Sequence, residues 1–168
     1  MNIGIIGNGF VGSAVNHGFS QVYRTFVYDV NAARSPHSLL EVIEMGDAIF
    51  VCLPTPAAPD GSVDLSCIYD FLKLLPRQKL GKKPLVIKST VPPGTCHAVA
   101  SQYNLTVLSN PEFLTERTAK EDFLNPRGVI IGAQTEDHAL LLKEIYQGLY
   151  DPLVEAEVGG IREPTYLL

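Results

Sequence analysis

The sequence predicts an α/β fold: a Rossmann-type, doubly wound parallel sheet in a single domain. Three observations carry this. Short apolar runs alternate with segments of helical period along nearly the whole chain, the pattern of βαβ units. The run Ala48–Leu53 is apolar throughout, as a strand covered on both faces must be. The first run, Asn2–Ile6, leads straight into Gly7-Asn8-Gly9-Phe10-Val11-Gly12, a glycine-rich turn that opens a helix.

The elements follow in order. Asn2–Ile6 is a first strand, and the helix after the glycines runs through about Phe19. Thr25–Tyr28 is a short second strand ending at Asp29. Ser38–Met45 carries Leu39, Leu40 and Ile43 at helical spacing, and Ala48–Leu53 is the central strand. Asp64 caps a helix whose Leu65, Ile68, Leu72 and Leu75 share one face. Leu85–Ile87 is a strand, Thr95–Tyr103 a helix, and Leu105–Leu108 and Val129–Ile131 further strands. Glu136–Leu149 is a helix with Ala139, Leu142, Ile145 and Leu149 as its apolar stripe, and Val154–Val158 reads as a last strand. Residues 1–150 form the nucleotide-binding unit, and 151–168 hold the last strand and the start of a connecting segment. The Pro/Gly-rich Pro54–Val63 reads as a functional loop at a strand's carboxyl end.

Composition narrows the function. The chain has 168 residues, 46% hydrophobic and 18% charged, with a net charge of −5. No Lys/Arg stripe marks a nucleic-acid partner, and the basic Lys79–Lys83 stretch reads as a solvated loop. No apolar run reaches the roughly 18 residues of a membrane span, and no signal segment opens the chain. Three cysteines, Cys52, Cys67 and Cys96, lack metal or paired spacing and point to a reducing, cytoplasmic setting. Cys52 and Cys67 read as core thiols, while Cys96 stands at a helix start. The histidines, His17, His37, His97 and His138, suggest neither a metal nor a triad.

The glycine motif is expected to hold a dinucleotide. Gly7 permits the tight turn, Gly9 leaves room for a pyrophosphate, and Gly12 lets the helix pack on the strand. The helix N-terminus then offers N–H groups to the phosphates. Asp29, 17 residues after Gly12, is placed to accept both ribose hydroxyls and to repel a 2′-phosphate. That favours NAD over NADP, although Arg34 nearby could serve the phosphate. Three further stretches stand at strand carboxyl ends: Cys52–Pro56, Lys88–Thr95 and Ser109–Glu116. Parallel sheets bind ligands there, so all three are expected to line one crevice with the glycine loop.

Together "GNGFVG", "CLPTP", "KSTVPPGT", "NPEFLTE" and "NPRGVIIG" resemble, in order and spacing, the NAD-binding domain of the UDP-glucose/GDP-mannose dehydrogenase family, over residues 1 to about 135. The resemblance implies NAD-dependent oxidation of a nucleotide sugar's C6 alcohol to a carboxylate. It implies that Gly7, Asn8, Gly9, Phe10, Val11 and Gly12 hold the pyrophosphate, with Asp29 on the ribose and Arg34 near the adenine. Leu53, Pro54, Thr55 and Pro56 would contact the cofactor, with Ser89 and Thr90 beside the nicotinamide. Thr90 would order a catalytic water or proton relay, Glu112 would do acid/base work, and Glu116 would reach the nicotinamide and substrate. Glu112 and Glu116 also read as helix-start acids and Thr90 as a turn hydroxyl, but motif position favours the functional reading, for Glu116 less than for Glu112.

The sequence also departs from the family. Arg117 stands where a glycine usually follows the second glutamate, and Arg127 falls one place early in the "P-x-R-V" pattern. The family's thiol segment, similar to "GGSCFPKD", and its lysine and asparagine from a connecting helical domain are not in this sequence. Two classes of function therefore stay open. One is the NAD-binding part of a nucleotide-sugar 6-dehydrogenase, acting on a UDP- or GDP-sugar with a C-terminal half or as a homo-oligomer. The other is a non-catalytic module for NAD and a nucleotide sugar. A β-hydroxyacid-type dehydrogenase cofactor domain is a further alternative. The apolar Ile161–Leu168 tail suggests self-association.

Overall fold

The computed structural model describes residues 1–150 in full and the backbone of two short strands at 157–159 and 165–167. Among these residues the order is β1 (Asn2–Ile6), α1 (Phe10–Phe19), β2 (Arg24–Tyr28), a 3₁₀ turn (Ala32–Arg34), α2 (Leu39–Met45) and β3 (Ala48–Val51). Then follow α3 (Ser66–Leu74), α4 (Arg77–Leu80), β4 (Leu85–Ile87), α5 (Thr95–Tyr103), β5 (Val107–Ser109) and α6 (Ala119–Leu124). β6 (Ile130–Gly132), α7 (Glu136–Gln147), β7 (Glu157–Gly159) and β8 (Thr165–Leu167) complete it. The sheet order is β2-β1-β3-β4-β5-β6-β8-β7. The expected strand at 154–158 overlaps β7; residues 154–156, and the Ile161–Leu168 tail apart from β8, lie outside the described residues.

Strands β2 through β5 are parallel, with Ile5 opposite both Val27 and Phe50. Their side chains alternate between two cores. One face carries Ile5, Phe50, Val86 and Leu108 against Phe19 of α1, Phe123 of α6 and Tyr146 of α7. The other carries Ile6, Val51, Ile87 and Val107 against α2, α3 and α5. This two-sided burial is why these strands are apolar throughout rather than alternating. β6 joins antiparallel to β5, and β8 and β7 continue antiparallel. The connection into β6 holds only the six-residue α6, too short for the crossover helix a parallel neighbour needs.

Several local features differ from expectation. α6 was not anticipated; its start is held by Asp122, whose carboxylate accepts from the Thr115 N–H and the Thr118 hydroxyl, and Pro126 follows its end. The basic stretch is not an open loop. Arg77–Leu80 is a helical turn, Leu80 is buried, and Lys83 donates to the Ile43 and Glu44 carbonyls at the end of α2. Those carbonyls have no partner within their own helix, so a cation there satisfies them and complements the helix dipole. Cys67 is not a core thiol but exposed, because the buried stripe of α3 runs through Ile68, Phe71 and Leu72 and leaves position 67 outside. Asp64 does brace the start of α3, accepting from the Ser66 N–H at 2.8 Å.

Candidate functional site

A cleft of about 570 Å³ opens along the carboxyl ends of the parallel strands. Its floor is the glycine loop. Gly7 has φ +89°, and a Cβ there would stand 2.5 Å from the Cys52 carbonyl oxygen. A Cβ on Gly12 would collide with the Gly7 carbonyl, so the first turn of α1 lies directly on the loop. Around Gly9 nothing lies within 4 Å of a Cβ position, and this glycine faces the open cleft. No side chain caps α1, so its first N–H groups are presented to whatever fills the cleft.

Asp29 closes one end and is only 8% exposed. Its carboxylate accepts from the Asn8 N–H at 2.7 Å and the Asn31 N–H at 2.8 Å, which fixes it against the loop. Its own N–H donates to the Ser35 hydroxyl. Arg34 stands 3.9 Å from the carboxylate and is half exposed. A carboxylate has about four acceptor positions, so two remain for ligand hydroxyls. Beyond it the wall is Leu39, Cys67, Phe71 and Leu74, an apolar surface for a flat ring. Of these, Cys67 and Leu74 stand on the exposed side of α3, where helical periodicity carries no signal, while Phe71 belongs to its buried stripe and Leu39 to α2.

The other end is built by two loops tied together. The Ser89 hydroxyl donates to the Leu53 carbonyl at 2.6 Å, and the Thr55 hydroxyl donates to the Thr90 carbonyl at 2.8 Å. Leu53, Pro54, Thr55, Ser89, Thr90 and Glu112 all line the cleft. Glu112 accepts from the Leu114 N–H. Asn8 turns away instead: its side chain donates to the Arg34 carbonyl at 2.7 Å. Pro56 and Glu116 are exposed and line neither this cleft nor its neighbour.

That neighbour is a second cavity of about 620 Å³, with Lys88 and Tyr146 in its wall and Glu112 shared with the first. Lys88 is 4% exposed. Its Nζ is 3.3 Å from Asn110 Oδ1 and 3.4 Å from the Tyr146 oxygen, and Tyr146 donates to the same Asn110 oxygen at 2.6 Å. Burial pulls the Lys88 ammonium down to about 8, opposed by the charges of Cys52 and Glu112. Burial pushes the Cys52 thiol up to about 12, and lifts the Tyr146 phenol as well. The sequence signal for Lys88 was a lysine ending the apolar run Leu85–Ile87, in register with Val86 and not with Ile87.

Residues 15–150 match the model of the UDP-glucose/GDP-mannose dehydrogenase family, NAD binding domain. The chain belongs to the UDP-glucose/GDP-mannose dehydrogenase family. It is similar to the UDP-glucose 6-dehydrogenase of Rickettsia prowazekii (strain Madrid E), 39% identical over 114 residues, 65% of this chain and 25% of that protein. Among solved structures it is similar to a UDP-glucose dehydrogenase from Pyrobaculum islandicum, with TM-score 0.79 and 30% identity, covering 90% of this chain and 45% of that one. It is also similar to a GDP-mannose dehydrogenase from Pseudomonas aeruginosa, with TM-score 0.76 and 25% identity, covering 89% and 44%. The matched stretch thus spans about a quarter of the curated relative and under half of each solved family chain. The doubly wound sheet is the family's NAD-binding domain. No helix among the described residues is long and apolar enough to cross a membrane.

Proposed function

We propose that the cleft binds NAD and that the chain serves NAD-dependent oxidation of a UDP- or GDP-sugar at its C6 alcohol, as part of a complete enzyme that includes segments beyond those matched here. The observation that carries this is the combination of open space at Gly9 with the buried, backbone-fixed Asp29 across the loop. The glycine loop and the start of α1 fit a pyrophosphate, and the two remaining acceptor positions of Asp29 fit a ribose diol. Arg34 flanks the adenine end, and Leu53–Pro56 with Ser89 and Thr90 shape the nicotinamide end. The bound cofactor supplies the acceptor for the hydrogen removed from the alcohol carbon. Thr90 orders a water or the sugar hydroxyl, and Glu112 accepts or returns its proton. Glu116, on the exposed loop beyond, reaches toward the substrate. A cytoplasmic setting belongs to this reading and rests on the odd, unclustered cysteine count.

The test is calorimetry of the chain with NAD and with NADP, beside an Asp29→Ala variant. NAD is expected to bind more tightly than NADP, and Asp29→Ala to weaken NAD about tenfold or more, the loss of two charge-assisted hydrogen bonds. Unchanged affinity in the variant overturns the ribose assignment, and no heat with NAD overturns the reading as a whole.

A further inference from the structure

The Lys88 cluster is not used by the function proposed above. An ammonium at 4% exposure is costly unless paired, yet among the described residues no carboxylate lies within ion-pair distance of Lys88. Its neighbours are an amide oxygen, a phenol and the rings of Phe123 and Tyr146, at 5.8 and 6.0 Å. Asn110 cannot turn to meet it better, since its Nδ2 donates to the Ile130 carbonyl at 2.7 Å. The carboxylate whose charge acts on Lys88 is Glu112, which shares the wall of the second cavity with it and borders the first cavity as well. The first cavity is the cofactor's cleft. Once it is filled, the second is the open side of Glu112.

We propose that Lys88 is a positioning residue for Glu112: its ammonium is the counter-charge behind that carboxylate, and its amine passes Glu112's proton into the second cavity. This rests on the reading of Glu112 as the acid/base group. As an O–H bond of a water or sugar hydroxyl breaks, the electron pair stays on oxygen and the proton goes to the Glu112 carboxylate. With the carboxylate neutralised, the Lys88 ammonium loses its counter-charge and gives its own proton to water in the second cavity. The carboxylic acid then passes its proton to the freed Nζ, which restores the carboxylate and the ammonium. The titratable groups that act on Nζ are Cys52, just past the end of β3, Glu112, and Tyr146 of α7, with Tyr150 in the same cavity wall. Asp122 of α6 and Arg127 also line the cavity, but Asp122 is committed to Thr115 and Thr118.

The experiment is a carbon-13 NMR titration of the lysine ε-carbons, with acetic anhydride labelling of Lys88 read by peptide mass spectrometry, each with and without saturating NAD. In the unaltered chain Lys88 is expected to titrate near 8 and to be acetylated as it deprotonates. Glu112→Gln, which leaves the core untouched, is expected to lower that midpoint by about one pH unit. Glu112→Ala gives the same test through a different truncation. NAD is expected to leave the labelling rate unchanged, because the route to Nζ is the second cavity. A midpoint that ignores both Glu112 variants overturns the proposal, as does labelling abolished by NAD. Absence of NAD binding in calorimetry overturns the proposed function instead and leaves the coupling test standing.

Discussion

Replacing Lys88 by methionine is expected to stabilise the protein at neutral pH. The folded chain holds this lysine at about 8, against an ordinary value of 10.5. Between those limits the unfolded chain binds a proton that the folded chain does not, so stability rises with pH across the window. Below pH 8 the full cost of burying the charge is present, about 3 kcal/mol for a shift of this size. Methionine has a similar length and fills the same space between Phe123 and Tyr146. It forfeits two long hydrogen bonds, worth about 1 kcal/mol together. Asn110 Oδ1 keeps its bond from Tyr146, so no buried acceptor is orphaned. The net expectation is a gain of about 2 kcal/mol at pH 7, shrinking as the pH climbs from 8 to 10.5. The chain has no tryptophan, so urea unfolding is followed by far-ultraviolet circular dichroism at a series of pH values. Tyrosines and thiols common to both proteins cancel in the difference. A parent and variant with parallel pH profiles would refute the reasoning, because the window belongs to Lys88 alone.

The glycine loop yields a pair of opposite outcomes. Gly12→Ala drives a methyl into the Gly7 carbonyl and is expected to cost about 3 kcal/mol of stability. Gly9→Ala meets no atom, so stability should hold within about 0.5 kcal/mol, while NAD affinity falls about tenfold because the methyl occupies phosphate space. Denaturation and calorimetry on the two variants separate these effects, and a Gly9→Ala chain that binds NAD normally would remove the pyrophosphate from that position. Thiol labelling makes another contrast. Cys52, with its thiol near 12, leaves only about one thiolate in ten thousand at pH 8 and should stay unlabelled in the folded chain. Cys67 is exposed in the cleft wall, so it should label readily and be protected by NAD; labelling of Cys67 that NAD does not slow would place the cofactor elsewhere.

Much of the sheet was legible because burial on both faces writes itself as unbroken apolar runs. Asn2–Ile6, Leu85–Ile87, α1 and α5 fall where the sequence placed them. The antiparallel turn into β6 was not legible, since a three-residue strand has the same apolar look in either direction. α6 was hidden because its six residues are too few to establish a helical period. Its signal was local instead, Thr118 four residues before Asp122 and Pro126 after the end. α2 carries an equally local mark, the Ser38/Glu41 capping box. In the site, the glycines and Asp29 were legible because their roles depend on backbone geometry that few residue types satisfy. The Ser89 and Thr55 ties were not, because each hydroxyl bonds a carbonyl from a loop 35 or 36 residues away.

The two cavities follow from a single rule applied at the strands' carboxyl ends. Successive side chains point to opposite faces, so the last residues of neighbouring strands sort into two sets. Leu53 and Ser89 continue the face of Val51 and Ile87 and enter the cofactor cleft. Lys88 and Asn110 continue the face of Val86 and Leu108 and meet Tyr146 behind it. A residue in a strand cannot serve both sides. Glu112 can, because it lies past the end of β5 in irregular chain, where no alternation binds it. A carboxylate that must take a proton in one compartment and lose it in another has to sit at such a place.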